Sequence, residues 1–272
     1  MTITADLPFQ PDRFQLEAAS HIDAGISVVV VAPTGAGKTL VAEHAVARAY
    51  EDGGRAFYTT PIKALSNQKY SDFCDAYGEE LVGLLTGDNV INGDAPIVIM
   101  TTEVLRNMIY AKSSALDDLS VVILDEVHYL QNRYRGSVWE EIIIHLPATV
   151  SIVSLSATIA NPEEFTSWVQ SRRGETALVI ETHRPVPLES MYLVKDRFRE
   201  GALDFQPVFR GSRPNTQIVR QLKKGRGRYR RFAIPRRTEV AELLAVEGLL
   251  PAIFFIFSRA GCDQAAEAVA AS

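Results

Sequence analysis

The segment Ala32-Pro33-Thr34-Gly35-Ala36-Gly37-Lys38-Thr39 constrains this chain more than any other stretch. It follows an unbroken apolar run, Val28 to Val31, and opens a segment with helical spacing, Leu40 to Tyr50. Strand, glycine loop and helix in that register are the setting of a phosphate-binding loop. Gly35 and Gly37 let the backbone curl until its N–H groups converge on an anion. The helix that follows adds the positive end of its dipole. Pro33, Thr34, Gly35, Ala36 and Gly37 are the residues expected against a nucleotide's phosphates. Lys38 would reach the β- and γ-phosphates, and Thr39 would place its hydroxyl on Mg²⁺. The full pattern has a glycine where Ala32 stands.

Other polar clusters close apolar runs in the same way. Ala56 to Thr60 reads as a strand and leads into Pro61-Ile62-Lys63-Ala64-Leu65-Ser66-Asn67-Gln68. Leu81 to Leu85 leads into Thr86-Gly87-Asp88, and Ile97 to Met100 into Thr101-Thr102-Glu103, where a helix cap is expected. Val121 to Leu124 ends in Asp125-Glu126-Val127-His128, and Ile152 to Leu155 in Ser156-Ala157-Thr158. Asn161-Pro162-Glu163-Glu164 has the capping residue, first-turn proline and acids of a helix start. Repeated alternation of strand and helix predicts an α/β fold, a parallel sheet covered by helices. Ligands of such sheets bind outside the carboxyl ends of the strands, where all these clusters fall. Asp125 is then expected to hold Mg²⁺, directly or through water, and Glu126 to orient and deprotonate an attacking water. Before the first strand, Phe9 could stack on a base, and the Gln15 amide could pair with an adenine edge. Taken alone, Gln15 is more often a solvated helix residue.

Beyond Arg184-Pro185-Val186-Pro187 the character changes. Leu188 to Val194 reads as a strand, Thr238 to Gly248 as a short helix, Ala252 to Phe257 as a buried strand and Gly261 to Ala271 as a helix. Between them, Lys195 to Arg237 holds fourteen Lys or Arg against three acids (Asp196, Glu200, Asp204), although the whole chain carries a net charge of −5. A basic stretch on an acidic body suits nucleic acid, or it is simply a solvated loop. It shows no apolar periodicity, so it is expected to lack a core and to be mobile. Cys74 and Cys262 lack metal spacing and read as buried free thiols of a reducing cytoplasm. A membrane-crossing helix needs about 20 apolar residues; the longest candidate, Leu249 to Phe257, is far shorter. Met1 to Asp12 has no secretory-leader pattern.

Gly37-Lys38-Thr39, Asp125-Glu126-Val127-His128 and Ser156-Ala157-Thr158, in that order, resemble superfamily-two helicases of the DExH type. Phe9 with Gln15, Thr60 to Gln68, Leu84 to Asp88, Thr101 to Glu103, His183 to Leu188 and Phe257 to Cys262 narrow the resemblance to the superkiller-like group, which includes exosome-associated RNA helicases and an actinobacterial DEVH helicase. The likeness covers nearly the whole chain except the basic stretch. It implies a RecA-like first domain over residues 1–185, a linker and first strand over 186–250 carrying the basic stretch at 195–237, and the start of a second RecA-like domain at 251–272. It implies ATP and Mg²⁺, and hydrolysis coupled to 3′–5′ movement on single-stranded nucleic acid. Pro61, Lys63, Thr86, Gly87, Thr101 and Thr102 would meet the strand's phosphate backbone; His128, Ser156 and Thr158 would couple nucleotide to the second domain. The group's arginine-bearing motifs lie beyond Ser272, and Gly225-Arg226-Gly227-Arg228 stands in the wrong order to be one. A fragment of this kind is expected to bind nucleotide and hydrolyse it poorly. The expected partner is single-stranded or tailed RNA, with DNA open, in an RNA-degradation setting. A DNA translocase and a nucleotide-gated binding module remain as alternatives; a phosphate-loop kinase would leave Ser156-Ala157-Thr158 without a use.

Overall fold

A computed structural model describes residues 9–199, 201–223 and 232–271. The chain divides into two compact units, Met1–Val186 and Pro187–Ser272.

The first unit runs α1 (Arg13–Asp23), β1 (Ser27–Val31), α2 (Lys38–Glu51), β2 (Arg55–Thr60), α3 (Lys63–Tyr77), β3 (Val82–Leu85), β4 (Val90–Ile91), β5 (Ile97–Thr101), α4 (Thr102–Tyr110), β6 (Leu119–Leu124), α5 (Ser137–His145), β7 (Ser151–Ser156), α6 (Pro162–Arg173) and β8 (Thr176–Ile180). The strands form one eight-stranded sheet in the order β4-β3-β5-β2-β6-β7-β1-β8. Every neighbouring pair is parallel except β3 with the short β4.

Strand side chains alternate between two cores. Val28, Val30, Tyr58, Leu84, Ile99, Ile123 and Val153 pack on one face with Phe14, Val41, Ala45, Val46 and Phe73 from α1, α2 and α3. Phe57, Val98, Met100, Val122, Leu124 and Ile152 pack on the other with Leu105, Trp139, Ile142, Ile143 and Val169 from α4, α5 and α6. Burial on both faces is why the strands read as continuous apolar runs. The expected parallel sheet with helices on both faces is present; β4 and β8 are additions to it. Two helix starts differ in detail. Asn161 precedes α6, but its amide bonds Glu164 and caps no backbone N–H. Thr101 precedes α4 without a side-chain cap bond.

The second unit contains β9 (Met191–Asp196), β10 (Ala202–Pro207), β11 (Phe209–Arg210), β12 (Arg213–Pro214), α7 (Thr216–Lys223), β13 (Phe232–Ala233), α8 (Arg237–Val246) and α9 (Arg259–Ala270). An antiparallel sheet, β10-β9-β13, closes over Val194, Ile218 and Phe232. The described part of the basic stretch is therefore folded around a small core, contrary to expectation. Three apolar side chains scattered over so many residues leave no periodic trace in sequence. Residues 224–231, which hold Lys224, Arg226, Arg228, Arg230 and Arg231, lie outside the described residues.

Two further expectations fail here. Ala252 to Phe257 is neither strand nor buried: Ile253, Phe255 and Phe257 are exposed and no strand pairs with them among the described residues. An apolar run becomes a buried strand only where neighbours cover it. Cys262 is exposed and Cys74 only half-buried.

Candidate functional site

The sheet order sorts the polar strand ends into two groups. β1, β7 and β6 are adjacent, bringing together the glycine loop, Ser156 and Asp125-Glu126. β2, β5 and β3 are adjacent on the other side, bringing together Pro61, Lys63, Thr101, Thr102, Thr86 and Gly87. β2 beside β6 is the seam between the groups.

The glycine loop leaves β1 with the Ala32 N–H donating to the Ser156 carbonyl, 3.0 Å. Gly35 (φ +85°) and Gly37 (φ +83°) are both left-handed, a region in which a Cβ is penalised. Gln15 braces the loop from α1: its Nε2 donates to the Gly37 carbonyl (2.9 Å) and its Oε1 accepts from the Asp12 N–H (2.8 Å). The residue is 4 % exposed, so it is no solvated helix residue. One N–H and one lone pair of its amide remain for a further partner. Phe9, at the edge of the described residues, is exposed. Within the loop, Pro33 is half-buried, Ala36 buried and Thr34 exposed; Thr39 is half-buried in the first turn of α2.

Lys38 rests its ammonium on the carbonyls of Ala32 (2.7 Å) and Pro33 (3.1 Å). Burial lowers its pKa, the charges of Glu126 and Asp125 oppose that shift, and Arg184 adds to it. Arg184 is thus a second cation at this site, to which sequence reasoning gave no role. Asp125 is held at both oxygens: Oδ2 accepts from the Tyr58 hydroxyl (2.8 Å) and Oδ1 from the Glu126 N–H (2.9 Å). Tyr58 was missed because the partnership depends on β2 lying beside β6, which spacing does not reveal. Burial, reinforced by the Asp125 carboxylate, raises the Tyr58 hydroxyl well above its ordinary range.

Glu126 occupies a left-handed conformation, φ +53°, which costs a non-glycine residue of order 1 kcal/mol and concentrates at functional sites. Burial first, then the Asp125 charge, raise its carboxyl; His128 and Lys38 pull it down. Glu126 Oε2 and His128 Nδ1 lie 3.2 Å apart, but neither atom has a hydrogen bond although both are buried. The buried Ser156 hydroxyl is likewise without a partner, while Thr158 is exposed. Buried polar atoms left open at strand ends suit a polar ligand. Among the described residues no group of three or more His, Cys, Asp or Glu could hold a metal ion. One carboxylate and one hydroxyl at a phosphate site instead match a cation shared with substrate oxygens.

The second group forms a cleft of about 390 Å³ lined by Pro61, Ile62, Lys63, Gly87, Thr101, Glu103, Val104, Asn107 and Arg135. Lys63 Nζ pairs with Asp88 Oδ1 at 2.7 Å, and Thr86 donates to the same oxygen at 3.1 Å. Both contacts lower the Asp88 carboxyl. Thr102 is fully buried and donates to the Thr60 carbonyl at 3.0 Å, tying the start of α4 to the end of β2. Thr86 is not among the residues lining the cleft, and Arg135 and Asn107 are cleft residues that motif reading passed over.

The sequence profile of the DEAD/DEAH box helicases matches residues 12–165. "Probable helicase HelY" of Mycobacterium tuberculosis is 50% identical over 96% of this chain and 31% of its own length. The "DExH-box ATP-dependent RNA helicase DExH15 chloroplastic" of Arabidopsis thaliana is 40% identical over 96% of this chain and 26% of its own. The chain thus spans between about a quarter and a third of the length of these relatives. A solved structure of the "DUF1998 helicase MrfA bound to DNA" superposes with a TM-score of 0.51 at 26% identity, over 62% of this chain and 27% of that one. With that profile lying over the sheet that carries the glycine loop, Asp125 and Glu126, this chain belongs to the DEAD/DEAH box helicase family.

Proposed function

We propose that the protein is an ATP-dependent RNA helicase, using ATP hydrolysis to move 3′–5′ along single-stranded nucleic acid and separate duplex. The observation that carries this is the sheet order, which places the phosphate-loop group and the cleft group side by side on one edge with β2 and β6 as their common wall. When bound, ATP with Mg²⁺ supplies the phosphoanhydride whose cleavage drives the motion. Lys38 and the loop amides of Pro33 to Thr39 bind and orient its phosphates, with Pro33 contributing no N–H of its own. Thr39 and Asp125 hold the cation, and Tyr58 fixes the carboxylate that does so. Glu126, its carboxyl raised by burial, accepts the proton of the attacking water. His128, Ser156 and Thr158 read the nucleotide state; residues 186–250 carry the linker and first strand of a second domain, and residues 251–272 are the start of that second RecA-like domain.

Pro61, Lys63, Thr86, Gly87 and Thr101 position the strand, and the fully buried Thr102 supports them from behind through its bond to Thr60. Hydroxyls, backbone amides and one lysine hold a phosphate backbone without reading its sequence. The RNA reading leans on the name of the Arabidopsis relative; the DNA-bound structure supports DNA as the second reading. The resemblance of the motifs to the superkiller-like group, rather than either of these names, is what supports a cytoplasmic protein within RNA-degradation machinery. Among the described residues no helix is long and apolar enough to cross a membrane. The test is ATP turnover of the whole protein with RNA and DNA oligomers side by side, then strand separation of a tailed duplex. RNA stimulation with strand separation supports the proposal. Stimulation without separation leaves a nucleotide-gated binder, and stimulation by DNA alone replaces RNA as substrate.

A further inference from the structure

We propose that Arg135 is a positioning residue that locks the two lips of the strand-facing cleft to the loop downstream of Asp125-Glu126. The inference rests on the cleft being where nucleic acid binds. Arg135 Nε donates to Glu103 Oε1 at 2.9 Å, and Nη2 contacts the same oxygen. Nη2 also donates to the Pro61 carbonyl at 2.6 Å. Pro61 follows β2, and Glu103 sits in the first turn of α4 after β5. One guanidinium therefore fixes the spacing of two strand ends that carry proposed backbone contacts, Pro61–Lys63 and Thr101. A planar fork with several donors can do this; a lysine point charge cannot hold both lips in one geometry.

The loop that delivers Arg135 is itself locally determined. Asn132 Oδ1 accepts from the N–H groups of Tyr134 (3.0 Å) and Arg135 (3.2 Å), and the Gly136 N–H donates to the Asn132 carbonyl at 2.8 Å. A Cβ on Gly136 would lie 2.0 Å from the Leu130 carbonyl oxygen and 2.8 Å from that of Asn132, backbone atoms that cannot swing aside. Leu130 belongs to the 3₁₀ turn Val127–Gln131, which begins next to Glu126. The path is short: Glu126, the 3₁₀ turn, the Asn132 turn, Arg135, then both cleft lips. A shift of the Glu126 segment moves the guanidinium and with it the cleft.

A direct phosphate contact by Arg135 is the rival role, and the two differ in sign. In the positioning role the charge is already committed to Glu103, so removing either partner loosens the cleft. Arg135→Gln and Glu103→Gln should each weaken oligouridylate binding by the 272-residue chain roughly three- to tenfold, the range expected when a half-exposed charge-assisted pair is broken. The double variant should cost no more than either alone. The dependence of binding on salt should keep its slope, because no phosphate gives up a cation. Arg135→Lys should restore little. Gly136→Ala should reproduce the weakening by displacing the loop. Retained melting temperature and ATP-analogue affinity in each variant separate cleft loosening from unfolding. The inference is overturned if Arg135→Gln flattens the salt slope by about 0.7, one phosphate's worth, while Glu103→Gln strengthens binding. Unchanged binding in both variants, or unfolding of all three with loss of nucleotide affinity, also overturns it. If the parent chain binds neither oligouridylate nor oligothymidylate, the failure lies with the cleft reading and not with Arg135.

Discussion

Gly35→Ala and Gly37→Ala test the construction of the phosphate loop, because the two glycines share a conformation and differ in surroundings. Both are left-handed, at φ +85° and +83°, so each Ala carries about 1–2 kcal/mol of backbone strain. Open space surrounds a Cβ on Gly35, whereas one on Gly37 would lie 2.7 Å from Gln15 Nε2. That contact must push the buried amide off the Gly37 carbonyl, adding about 0.5–1.5 kcal/mol for the broken hydrogen bond. Gly35→Ala should therefore destabilise by about 1–2 kcal/mol and Gly37→Ala by about 2–3 kcal/mol. With Gln15→Ala already in place, the clash and the bond are both gone. Gly37→Ala should then cost only the strain, leaving a coupling of about 1 kcal/mol. Urea unfolding followed by tryptophan fluorescence reads this cleanly, since both tryptophans, Trp139 and Trp168, lie in the first unit. Equal costs for the two glycines, or strict additivity with Gln15→Ala, would refute the bracing of the loop by Gln15.

Further outcomes follow from the same geometry. Glu126 holds its proton more tightly in the folded chain, since burial and then Asp125 raise its carboxyl above the ordinary 4.5. Its stabilising effect is therefore full below that value and lost as pH rises through the folded one; Glu126→Gln should melt higher than the parent at neutral pH, and the gain should vanish in acid. Gln15→Ala should flatten a preference for ATP over GTP by roughly 1–3 kcal/mol, the cost of an unpaired buried polar group, read by competition binding; equal competition in the parent removes the adenine assignment. Replacing Arg220, Lys223, Lys224, Arg226, Arg228, Arg230 and Arg231 by Ser or Gln should weaken RNA binding and flatten its salt dependence, at about 0.7 in slope for each phosphate no longer neutralised, with ATP binding intact. An unchanged slope would make that stretch a solvated loop or a surface for a protein partner.

Most of the residues proposed to carry chemistry were legible because they close apolar runs. Val28 to Val31 before the glycine loop and Val121 to Leu124 before Asp125 announce strands buried on both faces, and their ends hold the polar groups. The order of the strands was not legible. Nothing in the spacing places β6 beside β2, so Tyr58 could not be matched to Asp125, nor Arg135 to Pro61 and Glu103. Gln15 was expected as a base-facing amide, and its bracing of the loop was not legible, since its partner Gly37 lies on the far side of β1. In the second unit, burial depends on which neighbours arrive, and an apolar run alone does not say. Ile253, Phe255 and Phe257 are apolar and yet exposed. The small core of Val194, Ile218 and Phe232 was too sparse to register.

In the proposed mechanism the loop from Pro33 to Thr39 grips nucleotide phosphates while Glu126 acts only on the water. Binding of a fluorescent ATP analogue with Mg²⁺ to the parent, Lys38→Ala and Glu126→Gln chains tests it most directly, with turnover measured alongside in the whole protein. Glu126→Gln should keep the parent's affinity and lose turnover, and Lys38→Ala should lose affinity by at least roughly tenfold, the worth of about 1.4 kcal/mol. Parent affinity in Lys38→Ala, or parent turnover in Glu126→Gln, would contradict it.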